Sequence, residues 1–305
     1  MELIDQATGL ATHDEECAGG SIHTIVPRMN LDFGLDGDIP KYWFGGDAFK
    51  TRFFDAMSTL FPEGERFFIN CVRDYRDQVT DPRLAQEVTD FIRQEAQHGK
   101  VHTQFNDRLK TQGINVDGIE EKCRHIFKFL RSHTTRKWTL AQTAAVEHLT
   151  AIMSHSFFNR SDLLADADPR IHAMYVWHGV EEIEHKAVAF DVMQKVAKVG
   201  YLTRIATMFY VSMLFPLHVF SIMRHMFKVD GFSFGQRVGL FLRGFAWLYG
   251  PRGLYLPLMG HYFAYYKPGF HPWQEGSMAA YERWRETYER TGDPIRAGQT
   301  VVAAA

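Results

Sequence analysis

Two stretches, Glu95-Ala96-Gln97-His98 and Glu182-Ile183-Glu184-His185, each place a carboxylate and an imidazole three residues apart. On a helix, positions i and i+3 share one face about one turn apart, so each pair can present both donors to the same metal ion. A single Glu-x-x-His is a weak signal, because both residues are common on helices. Two copies say more, and each follows a helical stretch with a glutamate among apolar residues: Glu65 before Glu95, and Glu147 before Glu182. The order Glu, Glu-x-x-His, Glu, Glu-x-x-His is the ligand pattern of di-iron and di-manganese carboxylate bundles.

The helices that carry these residues can be bounded from their patterning. From Asp47, Phe53, Phe54, Met57 and Leu60 recur at helix spacing, and Phe61-Pro62-Glu63-Gly64 reads as a break. A second run carries Glu65, Phe68, Ile69, Val72 and Tyr75 on one face. Asp81-Pro82 reads as the cap and first position of a helix running to about Lys110, with Gly113 just past its end. Residues 112–137 form a longer connection with a short helix around Ile119–Leu130. Thr139 can cap the next helix, which carries Ala144, Glu147, Ala151 and His155. After the turn Asp166-Ala167-Asp168-Pro169, a fourth helix is predicted from about Arg170 to Val199, ending at Gly200. No period-two alternation is present.

Short, long and short connections make two helical hairpins joined by one crossover, the connectivity of ferritin-like bundles. The predicted fold class is all-α, a ferritin-like four-helix bundle with extra C-terminal helices. Its expected parts are an irregular segment at 1–45, the di-metal bundle at 46–200, and an apolar aromatic helical extension at 201–305, packed on the bundle or at a membrane surface.

Charge supports a metal site. Four carboxylates offset two divalent cations, while histidines bind as neutral imidazoles. Without metal, four inward glutamates would repel, and most would need protons. Glu63 is an alternative to Glu65, which is preferred because it shares a face with Phe68, Ile69 and Val72. His148, beside Glu147, reads as an ordinary core or surface histidine. Glu181 and Glu184 flank the second pair, but only Glu182 stands three residues before His185, so Glu184 is assigned a supporting place behind the ligands. His178 lies four residues before Glu182 on the same face, and both readings, third imidazole ligand or buried support, stay open. His102, one turn beyond His98, is a weaker candidate for such support.

The pattern His178-x-x-x-Glu182-x-x-His185 resembles the di-iron N-oxygenases, such as p-aminobenzoate N-oxygenase, whose fourth helix supplies an additional histidine. That resemblance implies His178 as a ligand. The stretches Phe61-Pro62-Glu63-Gly64-Glu65-Arg66-Phe67-Phe68, Gln94-Glu95-Ala96-Gln97-His98 and Trp177 to Lys186 are similar to a bacterial family labelled "predicted metal-dependent hydrolase", placed among ferritin-like proteins, over roughly residues 40–270.

Donor chemistry points elsewhere than the label. A carboxylate-rich site with open positions suits iron or manganese better than zinc. The expectation is two iron ions (manganese or a mixed pair being alternatives) that activate O2 to oxidise a small hydrophobic organic substrate. A two-metal hydrolase is the enzymatic alternative, although no phosphate-cradling loop or nucleophile elbow is present. A non-catalytic iron-binding or storage protein is the third reading, and the long aromatic C-terminal third argues against it. Nothing in the chain names an electron donor.

Residues 205–223 contain no formally charged side chain, a length approaching a membrane span, but Pro216 and His218 interrupt them. A second apolar aromatic stretch at 238–266 is broken by Arg243, Gly250-Pro251-Arg252 and Pro257. A buried helix covering the bundle is the commonest cause of such a segment. An interfacial patch or membrane hairpin, and an aromatic lid on an apolar channel, are the other two. With 34 basic and 36 acidic residues the formal charge is −2, which gives no general attraction to nucleic acid. Cys17, Cys71 and Cys123 form no zinc or disulfide pattern, and Met1–Gly20 lacks a signal peptide's basic start and apolar run. A cytoplasmic protein is expected, with peripheral membrane contact through the C-terminal third and a second copy of the chain, in a homodimer, as its partners.

Overall fold

In a computed structural model, which describes residues 24–160, 162–274 and 279–302, the chain is an all-α helical bundle. Among the described residues the sole β-type pairing is an isolated bridge between Phe44 and Ala167. Helices α1 (Ala48–Ser58), α2 (Phe61–Arg73), α3 (Pro82–Thr111), α4 (Val116–His133), α5 (Arg136–Asn159) and α6 (Pro169–His185) come first. Then follow α7 (Val188–Asp191), a π-helical turn (Val192–Val196), α8 (Tyr201–Val229) and α9 (Phe234–Tyr249). The last are α10 (Met259–Ala264), α11 (Ala279–Thr291) and α12 (Pro294–Val302).

Four helices, α2, α3, α5 and α6, pack together as the central bundle. The α2–α3 and α5–α6 connections are short, and α4 occupies the long one between α3 and α5. Asp81 accepts a hydrogen bond from the Arg83 N–H ahead of Pro82, and Gly113, at φ +81°, takes the left-handed conformation beyond α3 that glycine adopts freely. Asp168 and Pro169 start α6 in the same way.

Local chemistry moves three of the expected boundaries. Pro62 does not break a helix; it lies in the first turn of α2, where its missing N–H costs nothing, and the break falls at Thr59-Leu60. The cap of α5 is Thr135, whose hydroxyl accepts from the Trp138 N–H, while the Thr139 hydroxyl is used donating to the Arg136 carbonyl. Thr135→Ala is therefore expected to cost about 1 kcal/mol, read from the denaturant midpoint. The fourth helix ends at His185, not near Val199: Lys186 and Ala187 turn the chain into α7 and the π turn. No Gly or Pro marks that break. In the crossover, α4 is an 18-residue helix, longer than the short one expected.

The C-terminal third shares the bundle's core. Trp43, Phe54, Tyr175 and Trp177 form one apolar cluster with Val219, Met226, Leu248 and Trp284. Arg52, fully buried on α1, donates to both oxygens of Asp230 at the end of α8 (2.8 and 2.6 Å) and to Asp55 (2.8 Å). This bidentate, charge-assisted pair ties the first helix to the eighth. At Gly244 α9 lies so close to α1 that an added Cβ would fall 2.2 Å from the Phe49 ring. Helix α12 packs on α6.

Only one face of α8 is covered. Met208, Val219, Met223 and Met226 are buried, whereas Leu202, Phe209 and Leu217 are 74%, 61% and 62% exposed. By length and composition α8 is the one described helix able to cross a membrane, and 22% of its most apolar stretch is buried.

Candidate metal centre

Each bundle helix delivers side chains to one buried cluster. Glu65 comes from α2, Glu95 and His98 from α3, Glu147 from α5, and His178, Glu182 and His185 from α6. Their donor atoms fall into two groups. Glu65, His98 and His178 can each offer an atom within 4.8 Å of the others, and so can Glu95, Glu147, Glu182 and His185. Glu182 faces both. Its Oε1 lies 3.1 Å from His178 Nε2, 3.6 Å from His98 Nδ1 and 3.6 Å from His185 Nε2. Glu95 Oε1 lies 3.1 Å from His185 Nε2 and 3.9 Å from His98 Nδ1. The two groups are therefore adjacent, with Glu95 and Glu182 of the second reaching toward His98 of the first.

The donors suit a metal on their own evidence. Both oxygens of Glu95, both nitrogens of His98, Glu65 Oε2, Glu147 Oε2 and His185 Nε2 are buried with no hydrogen-bond partner among the described residues. Each such group costs about 1–3 kcal/mol if nothing satisfies it, and native proteins rarely cluster them. Electrostatics agrees. Burial, then the Glu147 charge, pushes Glu95 well above the usual carboxylate range, and burial with the Glu182 charge pushes Glu147 up to about 7. Burial would raise Glu182 too, but His178 and His185 outweigh it and hold it low. Burial keeps His98 well below its ordinary value, so it is neutral. Burial opposes charge on His185, but Glu147, Glu182 and Glu95 outweigh it and raise that imidazole. Four carboxylates in this space cannot all ionise without added positive charge.

A protein-family model described as "Predicted metal-dependent hydrolase" matches residues 27–276. The chain belongs to this family. Neither the curated proteins nor the solved structures compared with it gave a match. A family of metal-dependent proteins and a buried carboxylate–histidine cluster agree that a metal is this protein's cofactor.

The span shared with the family also holds the residues that aim the histidines. Asn106 Nδ2 donates to the Ser58 carbonyl (3.0 Å), which turns Asn106 Oδ1 to accept from Ser58 Oγ (2.8 Å). The single Ser58 hydroxyl proton is thereby used, so Oγ accepts from His102 Nδ1 (2.8 Å). Burial keeps His102 far below its ordinary pKa, hence neutral, and its Nε2 accepts from His178 Nδ1 (2.9 Å). His178 Nε2 then faces Glu182 Oε1 at 3.1 Å, where a proton or a metal ion can stand between the two. On the other side, Gln94 donates to Glu184 Oε2 (2.8 Å) and accepts from His185 Nδ1 (2.9 Å), which frees His185 Nε2 toward Glu95 and Glu147.

A third support comes from the irregular N-terminal segment. Arg28 Nη1 donates to Glu181 (3.2 Å) and Nη2 to Glu184 (2.7 Å), all three buried, and Trp284 lies over the guanidinium at 5.1 Å. Glu181 Oε2 in turn lies 3.1 Å from His98 Nε2. That approach is not aligned as a hydrogen bond, but it places the carboxylate behind the imidazole, where partners of metal-ligating histidines stand. Glu184 accepts hydrogen bonds from Gln94 and Arg28.

Glu63 is not part of the cluster; it pairs with Arg66 (2.7 Å) and Arg124 (2.9 Å). His148 bonds the His261 carbonyl instead (3.1 Å). Sequence reasoning missed Glu181, Arg28, Gln94, Ser58, Asn106 and Thr150, whose hydroxyl reaches Glu182 Oε2. One signal was readable: His98, His102 and Asn106 recur every fourth residue on α3. Cys71 and Cys123 are buried free thiols, and Cys17 lies outside the described residues.

Proposed function

We propose that this protein is a dinuclear iron enzyme that activates O2 to oxidise an apolar organic substrate. The observation that carries the reading is the pair of buried donor groups joined through Glu182. Glu65, His98 and His178 would hold one ion, Glu95, Glu147 and His185 the other, with Glu182 between them. Manganese, or a mixed pair, satisfies the same donors. Bound there, two ferrous ions supply the electrons that reduce O2. The protein's own part is orientation and exclusion of water. Asn106, Ser58 and His102 hold His178 in the Nδ1–H tautomer, Gln94 does the same for His185, and Glu181 backs His98. The ferritin-like connectivity and the likeness of the α6 pattern to di-iron N-oxygenases support the same reading. So does the apolar cavity wall that Glu65 and Glu182 border. The outward apolar face of α8 supports peripheral contact with a membrane.

The family's description favours a second reading, a two-metal hydrolase in which paired ions activate water and clamp a leaving oxygen. Anaerobic Fe(II) titration followed by O2 separates the two. Two irons per chain and stoichiometric O2 uptake are expected. Tight zinc binding with ester or amide hydrolysis and no O2 uptake would decide for the hydrolase.

His102→Ala is expected to weaken metal binding about 10–100-fold, the usual cost of losing a partner behind a ligand. Competition with a chelator measures it. Imidazole added to the variant restores part of the affinity if the role is tautomer control. Unchanged affinity would refute that role.

A further inference from the structure

Two apolar chambers lie between the bundle and the C-terminal third. The inner one, about 130 Å³, borders Glu65 and Glu182 and is walled by Phe67, Ile126 and Phe127. The outer one, about 280 Å³, is bordered by Met57, Met153, Met213 and Met259 and reaches Tyr249 and Tyr262. Phe61, Val146, Thr150 and Phe215 line both, so the chambers meet beside the metal centre. Met213 and Tyr249, 50% and 42% exposed, place the mouth of the outer chamber at the surface.

We propose that the two chambers bind one unbranched aliphatic chain, taken in between Met213 and Tyr249 and laid past Thr150 and Glu182, with its tail in the inner chamber. This names the substrate class for the reading above and rests on it for the chemistry, while the binding itself stands on the cavity.

Three properties of the walls select such a ligand. Among the described residues no charged side chain lines the outer chamber, so a sugar, phosphate or other strongly hydrated group would lose its water there without repayment. Four methionines, each unbranched with three rotatable bonds, adapt to a flexible chain better than a rigid ring wall does. Neither chamber alone reaches the roughly 300 Å³ of ordinary ligand sites, and a ligand narrow enough to thread the junction uses both. A polar head group stays at the mouth, beside the Tyr262 hydroxyl, which is paired with Tyr266 at 2.7 Å. Outside, Phe245 meets Tyr249 (5.4 Å between rings) and Phe263 meets Tyr262 (5.2 Å), and both phenylalanines are exposed. The mouth therefore opens onto an apolar surface.

The test is calorimetric binding of straight saturated carboxylates of increasing length to the full chain, metal-free and metal-loaded. Affinity is expected to rise about fourfold per methylene until the chambers are filled, then to level off. Val146→Trp, at the junction, should weaken the longest chains at least tenfold, spare the shortest and leave the metal content unchanged. Affinity that ignores chain length, or equal binding of a flat aromatic acid of the same area, would overturn the proposal. That series uses the unaltered protein, so it decides even if the variant fails to fold. Length-dependent binding to a protein that takes up no metal would keep the channel and remove the oxygenase reading; metal and O2 uptake without it would do the reverse. Loading from phosphatidylcholine vesicles carrying the same acid identifies the source. A rate that follows vesicle surface points to the bilayer, one that follows free monomer points to solution, and no uptake by either route counts against the channel.

Discussion

Glu182→Ala protein will purify with less than about a tenth of the parent's metal, and its affinity will fall by more than the ~100-fold that loss of a partner behind a ligand can cost. The geometry explains why one side chain would matter to both donor groups. Glu182 Oε1 approaches His178 and His98 on one side and His185 on the other, so its removal takes an anionic donor from each group at once. The loss should not be confused with unfolding. Glu182 shares its space with Glu95 and Glu147, both already raised by burial and mutual repulsion, and deleting one carboxylate relieves that crowding. The variant's helical circular dichroism should match that of the metal-free parent while elemental analysis reads little metal. His98→Ala should lose metal as well. Glu63→Ala, whose carboxylate turns out to Arg66 and Arg124, should keep it. Full metal occupancy in both Glu182→Ala and His98→Ala would defeat the assignment.

Arg28→Ala is expected to destabilise the fold by about 3–5 kcal/mol, the usual result of removing one partner from a buried ion pair. Arg28 is the cation that the structure places against Glu181 and Glu184, both without exposed surface. Tyr281 and Gln94 also bond Glu184, but as neutral donors they cannot replace the charge. Denaturant unfolding of metal-free protein measures the loss. Double substitution, Arg28→Met with Glu184→Gln, should recover part of it, because the deficit comes from an uncompensated charge and not from lost contact area. A loss under 1 kcal/mol in the single variant would show that water or another cation reaches these carboxylates. Since Glu181 backs His98 and Glu184 holds Gln94 against His185, the same variant should bind metal more weakly.

Much of the fold was legible because helix ends and faces are local properties. Asp81-Pro82, Gly113 and Asp168-Pro169 carry their signals within two or three residues, and the structure uses them as such. Thr135 and Thr139 show the limit of that locality. Both can cap, and the first turn's own hydrogen bonds select between them. The end of α6 after His185 had no local signal, since neither Gly nor Pro stands there.

The site divides along the same line. Glu95/His98 and Glu182/His185 are set by a helical repeat, which a sequence states directly, and the order of Glu65 and Glu147 before them follows from the hairpins. What sequence could not state is which flanking glutamate serves which purpose. Glu181, Glu182 and Glu184 are near neighbours on one helix, and only the packing of α3 and of the segment around Arg28 separates them. One carboxylate faces the donors, one backs His98 and one is held by Arg28 and Gln94. The aim of His178 likewise depends on Ser58 and Asn106, which come from two different helices. Helical periodicity determined the chemistry offered. Long-range packing decided its orientation, because hydrogen-bond direction and burial depend on neighbours far away along the chain.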